Sequence, residues 1–133
     1  MKVPYNYLPM EFRRSDKILS HWRKLIRSTD FTLGKYTAEF EKKFSEYSDC
    51  KFGIGVGNCT DALYIALKAF DIGKGDEVIT VSNTAVPTVT AIVSAGATPV
   101  FVDIDEYSLI DVSKIEAVIS DRTKAIIPVH LFG

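Results

Sequence analysis

Cysteine and histidine are scarce in this 133-residue sequence, which has only Cys50, Cys59, His21 and His130. The two cysteines have no metal-ligand spacing, so a zinc ribbon or similar site is excluded and no bound metal is expected. No apolar secretory stretch opens the sequence, and a reducing cytoplasm is the expected compartment. Asn58-Cys59-Thr60 therefore has the letters of a glycosylation sequon without the setting that would use it. Excess charge of one sign is also missing. Sixteen basic residues face seventeen acidic ones, the net charge is −1 and no run of like charge occurs. That removes the basic stripe of a nucleic-acid binder, and no nucleic-acid partner is expected. Repeats, low-complexity runs and Pro/Gly/Ser linkers are absent as well.

What is present fits a soluble domain with a sizeable core: 47% of residues are apolar and 25% charged. From Val78 to Val102 no charged residue occurs, a length that would cross a bilayer. Thr80, Ser82, Asn83, Thr84, Thr88, Thr90, Ser94 and Thr98 place polar groups through it, and Pro87, Gly96 and Pro99 punctuate it. The stretch reads as strand, helix and strand, all buried, with no membrane partner.

The pattern changes near residue 50. Residues 1–50 read as a helical segment. Ile18, Leu19, Trp22, Leu25 and Ile26 share one face of a 3.6-residue period, as do Tyr36, Phe40, Phe44 and Tyr47, with Phe31-Thr32-Leu33-Gly34 breaking the pattern between them. Glu39 and Lys43 stand at i,i+4 on a solvated face. Residues 51–133 alternate β-branched runs with helical segments, the pattern of a parallel α/β sheet with crossover helices. The expected strands are Phe52–Val56, Val78–Val81, Pro99–Ile104 and Ala125–Val129. The expected helices are Cys59–Phe70, Ala85–Ala95 and Val112–Ile119. Pro87 is tolerated in a first helical turn, Gly96 supplies a stop and Asp111 an N-cap. The fourth strand ends beside His130-Leu131-Phe132-Gly133 with no covering helix after it. The expectation is an incomplete piece of a larger domain, with Ile126, Ile127, Val129, Leu131 and Phe132 exposed.

Two turns concentrate polar residues at the carboxyl edge of such a sheet, where open α/β folds bind ligands. The first runs from Gly53 through Gly57 to Asn58-Cys59-Thr60-Asp61, where unpaired amide hydrogens at a helix start make an anion site. Its GxGxG spacing, with two glycines inside the expected strand, meets neither the dinucleotide nor the P-loop fingerprint. A purely structural reading, Asn58 capping its own helix and Asp61 complementing the dipole, stands on equal terms. The second turn is Ser82-Asn83-Thr84-Ala85-Val86-Pro87-Thr88, where Thr84 serves as ligand contact or N-cap. His130 lies at the same edge and His21 is expected to pack beside Trp22. Asp103 and Asp105 read as turn-stabilising carboxylates.

Ordered blocks over nearly the whole chain carry a resemblance. They are Gly34 with Phe40-Glu41, Asn58 to Leu63, Gly75-Asp76-Glu77-Val78-Ile79, Thr84 to Thr88, Gly96 to Asp103, and Thr123 to Gly133. Together they resemble the DegT/DnrJ/EryC1/StrS family of pyridoxal-phosphate sugar aminotransferases. The resemblance implies the N-terminal portion of the large domain of a fold type I, aspartate-aminotransferase-like enzyme, with a sheet that becomes mixed in the full enzyme and a homodimer whose active sites lie at the subunit interface. It implies that Asn58, Cys59 and Thr60 hold the cofactor phosphate, with phosphate replacing Asn58 as partner of the Cys59 and Thr60 amides. Asn83, Thr84, Ala85 and Thr88 would border the cofactor ring, although the position of Ala85 usually carries a stacking aromatic ring. Tyr7, Thr29, Asp30, Phe31 and Thr32 match segments that line the sugar-nucleotide pocket. The Schiff-base lysine and the aspartate that pairs with the ring nitrogen are expected beyond Gly133, so no catalytic residue is assigned here.

The implied activity is transfer of an amino group from an amino acid, glutamate foremost, to a keto group on a nucleotide-linked deoxysugar. The rivals are a dehydratase of the same family with histidine in place of the lysine, and an inactive regulatory module that binds a phosphorylated metabolite.

Overall fold

A computed structural model describes residues 7–133, and the chain separates into two compact units between Gly55 and Val56. In the first unit lie α1 (Leu8–Glu11), α2 (Asp16–Ser28) and α3 (Lys35–Tyr47). Thr29 ends α2 in a left-handed conformation, φ 55°, with its amide bonded back to the last turn. Asp30 then caps α3, its Oδ2 accepting the Lys35 amide at 2.9 Å. Gly34 leaves room for this carboxylate, because a Cβ on it would lie 2.2 Å from Asp30 Oδ1. On α3, Lys43 donates to Glu39 at 2.6 Å, and the Phe40 and Phe44 rings meet at 5.6 Å. His21 is exposed rather than packed, because its Nδ1 turns back to the Lys17 carbonyl of its own helix at 2.8 Å.

Residues 52–56 form no strand, contrary to the sequence pattern. The Gly55 amide donates to Glu41 Oε1 at 2.7 Å instead of to a neighbouring strand. Gly53 presses so closely on the Glu41 carbonyl that a Cβ would fall 2.5 Å from it. A strand exists only through its partner, and alternate glycines offer little side chain to hold a pleated surface. The glycines thus sit in an irregular extended segment.

The second unit begins with α4 (Cys59–Ala69), followed by β1 (Glu77–Val81), α5 (Val86–Ala95), β2 (Thr98–Val102) and β3 (Thr123–Ile126). The sheet order is β2-β1-β3, and both pairings are parallel. A central parallel strand is covered on both faces, and every residue of β1 is buried. Leu67, Ile72, Val78, Ile92, Ala95 and Ala97 form the core beneath it. Pro87 sits in the first turn of α5, and Gly96 ends the helix at φ +92°, a conformation that favours glycine.

The charge-free stretch is therefore strand, helix and strand, and no described helix is long and apolar enough to cross a membrane. It is not all buried: Val86, Val93 and Phe101 are exposed, because β2 lies at a sheet edge and α5 turns one stripe outward. Strand ends also differ from the expected ones. After β2, Ile104 makes only an isolated bridge to Ile110, and β3 begins two residues early, at Thr123. Residues 112–119 form two 3-10 turns, Val112–Lys114 and Glu116–Val118, rather than an α-helix. The segment is short and β-branched, which weakens an α-helix, although Asp111 caps it as expected through the Ser113 amide. Ile126, Leu131 and Phe132 are exposed, whereas Ile127 and Val129 are half-buried.

Candidate functional site

The start of α4 is organised by two side chains. Asn58 is extended, and its Oδ1 accepts the Asp61 amide at 3.0 Å. Its Nδ2 donates to Asp61 Oδ2 at 2.9 Å. Asn58 thus takes the third amide of the helix and leaves the first two: those of Cys59 and Thr60 have no acceptor among the described residues. The expectation that an anion replaces Asn58 at those amides is corrected, because Asn58 never occupies them. Two parallel donors at the positive end of an eleven-residue helix suit an anion. Thr60 is half-buried and adds a hydroxyl, whereas Cys59 exposes its thiol.

The second turn follows β1. Ala85, not Thr84, is the N-cap residue of α5, and it has no capping side chain. Thr84 Oγ1 instead lies 2.8 Å from Thr88 Oγ1, and the Thr88 amide donates to the Ala85 carbonyl at 3.2 Å. Thr88 is buried, Asn83 and Thr84 are half-buried, and Ser82 and Ala85 are exposed. Beside this turn opens a groove of about 510 Å³, lined by Ser82, Thr84, Ala85, Val86, Val89 and Val93 among others.

The two turns share one end of the unit. Helices α4 and α5 pack against each other, and near their carboxyl ends Lys68 and Ala95 both flank Gly73. Their amino ends therefore lie together at the opposite edge, where β1 finishes. That edge carries the unpaired amides, the Thr84 and Thr88 hydroxyls and the groove.

The family model for DegT/DnrJ/EryC1/StrS aminotransferases matches residues 13–133. The chain belongs to that family. It is 44% identical over 135 aligned positions to the pleiotropic regulatory protein of Geobacillus stearothermophilus, covering 100% of this chain and 36% of that protein. It is also 44% identical to dTDP-3-amino-3,4,6-trideoxy-alpha-D-glucose transaminase of Micromonospora megalomicea subsp. nigra, covering 97% of this chain and 35% of that enzyme. The crystal structure of NtdA from Bacillus subtilis with bound cofactor PMP superposes with a TM-score of 0.92 at 36% identity, covering 99% of this chain and 31% of that one. The parallel sheet with its crossover helix α5 is accordingly part of the fold type I architecture of these aminotransferases. The chain spans about a third of the length of the curated relatives it matches.

The remaining candidates of this DegT-family chain fall elsewhere. Tyr7, Thr29, Asp30, Phe31 and Thr32 belong to the first unit, with Asn58, Cys59, Thr60, Asn83, Thr84, Ala85 and Thr88 in the second. Tyr7 is exposed and its carbonyl accepts the Met10 and Glu11 amides. Thr29 to Thr32 form the tight turn ahead of α3, with Phe31 exposed. His130 is exposed, and its carbonyl accepts the Gly133 amide. Asp103 and Asp105 do stabilise turns: Asp103 accepts the Ile104 amide, and Asp105 those of Tyr107 and Leu109. The Ser113 hydroxyl and the Lys114 ammonium hold Asp111 below the usual carboxylate range, and Asp111 raises Lys114 in return. Among the described residues no three His, Cys, Asp or Glu side chains gather as metal ligands.

Sequence reasoning missed the second half of the Asn58–Asp61 arrangement. The signal was present, since an amide residue followed three positions later by a carboxylate has the spacing of a capping box. It also missed Glu77, buried at the foot of β1, which accepts from Ser120 Oγ at 2.6 Å and pairs with Arg122 at 2.5 Å.

Proposed function

We propose that this chain is the cofactor-phosphate-binding part of a pyridoxal-phosphate-dependent aminotransferase. It would move an amino group from an amino acid, glutamate foremost, to a keto group on a nucleotide-linked deoxysugar. The observation that carries this reading is the pair of unpartnered amides at Cys59 and Thr60. Membership of the family, the sugar-transaminase name of one relative and the PMP-bound NtdA structure support it.

The residues present fit the phosphate of the cofactor. Its oxygens would accept from the Cys59 and Thr60 amides, with the Thr60 hydroxyl as a third donor, while Asn58 stays on Asp61. Bound pyridoxal phosphate supplies an electron sink through which an amino group passes from one substrate to the other. Asn83, Thr84, Ala85 and Thr88 would border the ring. Ala85 brings no ring of its own, and the adjoining groove leaves room beside it. Tyr7, Thr29, Asp30, Phe31 and Thr32 would face the sugar nucleotide. The exposed apolar side chains of α2, among them Trp22 and Ile26, favour a homodimer in which they are covered. Two exposed free thiols, Cys50 and Cys59, favour the cytoplasm.

Thr60→Val in the full-length protein tests the assignment, because it deletes one hydroxyl at similar volume. Cofactor affinity measured by titration is expected to fall by about 1–3 kcal/mol. Cys59→Ala, which keeps the backbone donor, is expected to change it little. Unaltered affinity in the valine variant refutes the assignment. Incubation with glutamate and a nucleotide-linked keto sugar then separates the chemistries: an aminated product supports amino transfer, and loss of a hydroxyl as water identifies a dehydratase.

A further inference from the structure

The start of α4 holds a carboxylate beside the very amides proposed to receive a phosphate. Asp61 stands at the third helical position, and a free carboxylate there would compete for those donors and repel a second anion. The structure shows what restrains it. Asn58 Nδ2 donates to Asp61 Oδ2 at 2.9 Å while Asn58 Oδ1 accepts the Asp61 amide at 3.0 Å, so one side chain grips both the backbone and the carboxylate of the other. Gly57 leaves the space this needs: a Cβ at position 57 would lie 2.8 Å from Asp61 Oδ2.

We infer that Asn58 and Asp61 form a clasp that positions the phosphate cradle, with the amide of Asn58 holding the Asp61 carboxylate away from the anion, and this inference rests on the reading of α4 as the cofactor-phosphate site. Asn58 and Asp61 are positioning residues and touch no phosphate oxygen. The clasp sets how many amides face the ligand, two rather than three, and it fixes the position of a local negative charge that would oppose binding if it turned toward the anion. Glycine at position 57 belongs to the device because a Cβ there would crowd Asp61 Oδ2 at 2.8 Å and force that oxygen to shift.

The donor half of the clasp can be removed alone. Asn58→Asp keeps a good N-cap acceptor, since asparagine and aspartate cap about equally well, but it loses the N–H that restrains Asp61. Asp61→Asn keeps an oxygen for Asn58 Nδ2. The double variant Asn58→Asp/Asp61→Asn rebuilds the clasp with its polarity exchanged and the net charge of the wild type. Dissociation constants for pyridoxal 5'-phosphate and for pyridoxal, which lacks the phosphate, are measured by titration of the full-length protein.

The single Asn58→Asp variant is expected to bind pyridoxal phosphate roughly tenfold more weakly while pyridoxal binding stays within about twofold of the wild type. Asp61→Asn is expected within about twofold for both ligands, and the double variant is expected to recover pyridoxal phosphate binding to within about twofold. A double variant as weak as Asn58→Asp, or an Asn58→Asp protein that binds like the wild type, overturns the clasp and leaves the phosphate site standing. Equal losses for pyridoxal and pyridoxal phosphate in Asn58→Asp mean a general structural defect and also overturn it. A wild type that binds pyridoxal as tightly as pyridoxal phosphate overturns the phosphate site and the clasp together.

Discussion

Thr80 is fully buried in the middle of β1, and its hydroxyl donates to the Ile127 carbonyl at 2.9 Å, just past the end of β3. Replacing it by valine sets two effects of similar size against each other. Exchanging hydroxyl for methyl in a buried site gains about 0.8 kcal/mol of apolar transfer. Losing the donor leaves a carbonyl short of a partner, which costs about 1–3 kcal/mol, and half-burial of Ile127 places this toward the lower half of that range. The hydrogen bond wins, and Thr80→Val is expected to loosen the β1–β3 edge by about 1 kcal/mol. Thr80→Ala loses the bond and the methyl contact, and about 2–3 kcal/mol is expected. The probe is the Ile127 amide, which donates to the Ile79 carbonyl at 2.8 Å beside the mutated position. Hydrogen–deuterium exchange at that amide in the full-length protein should accelerate about fivefold in the valine variant and far more in the alanine one. A valine variant that exchanges as slowly as wild type, with the alanine variant fast, would refute the reasoning and assign Thr80 a packing role alone.

Glu77→Gln keeps shape and removes charge, setting an amide donor against the Arg122 guanidinium. A loss of about 1–2 kcal/mol is expected from thermal unfolding, with a smaller loss for Arg122→Ala because that side chain is largely exposed. Gly34→Ala places a methyl 2.2 Å from Asp30 Oδ1, so the carboxylate must leave the Lys35 amide. About 1 kcal/mol of α3 stability should be lost, visible as faster exchange at Lys35, and unchanged exchange there would show that Asp30 is not the cap.

Much of the backbone was legible without coordinates because its signals are local. The 3.6-residue periods of α2 and α3, the proline and glycine that begin and end α5, and the β-branched runs of β1 and β2 act within a few neighbours, and these elements form where expected apart from the far end of β2, which stops at Val102. The same holds for the turn roles of Asp103 and Asp105 and for the caps at Asn58 and Asp111, since each side chain bonds an amide no more than four residues away. Residues 52–56 show the limit. Their apolar alternation suits a strand, but hydrogen bonding to a partner decides whether one forms, and Gly55 finds Glu41 instead. Residues 112–119 differ for a related reason: a short β-branched stretch carries too little intrinsic helix stability to settle its form. At the candidate site the residue types at both turns could be named from sequence. Only the folded chain decided that the Asn58 amide nitrogen also grips the Asp61 carboxylate, and that Thr84 turns to Thr88 rather than capping α5. A side chain with several acceptors or donors within reach has nearly equal local choices, and the packing of α4 and α5 against the sheet selects among them.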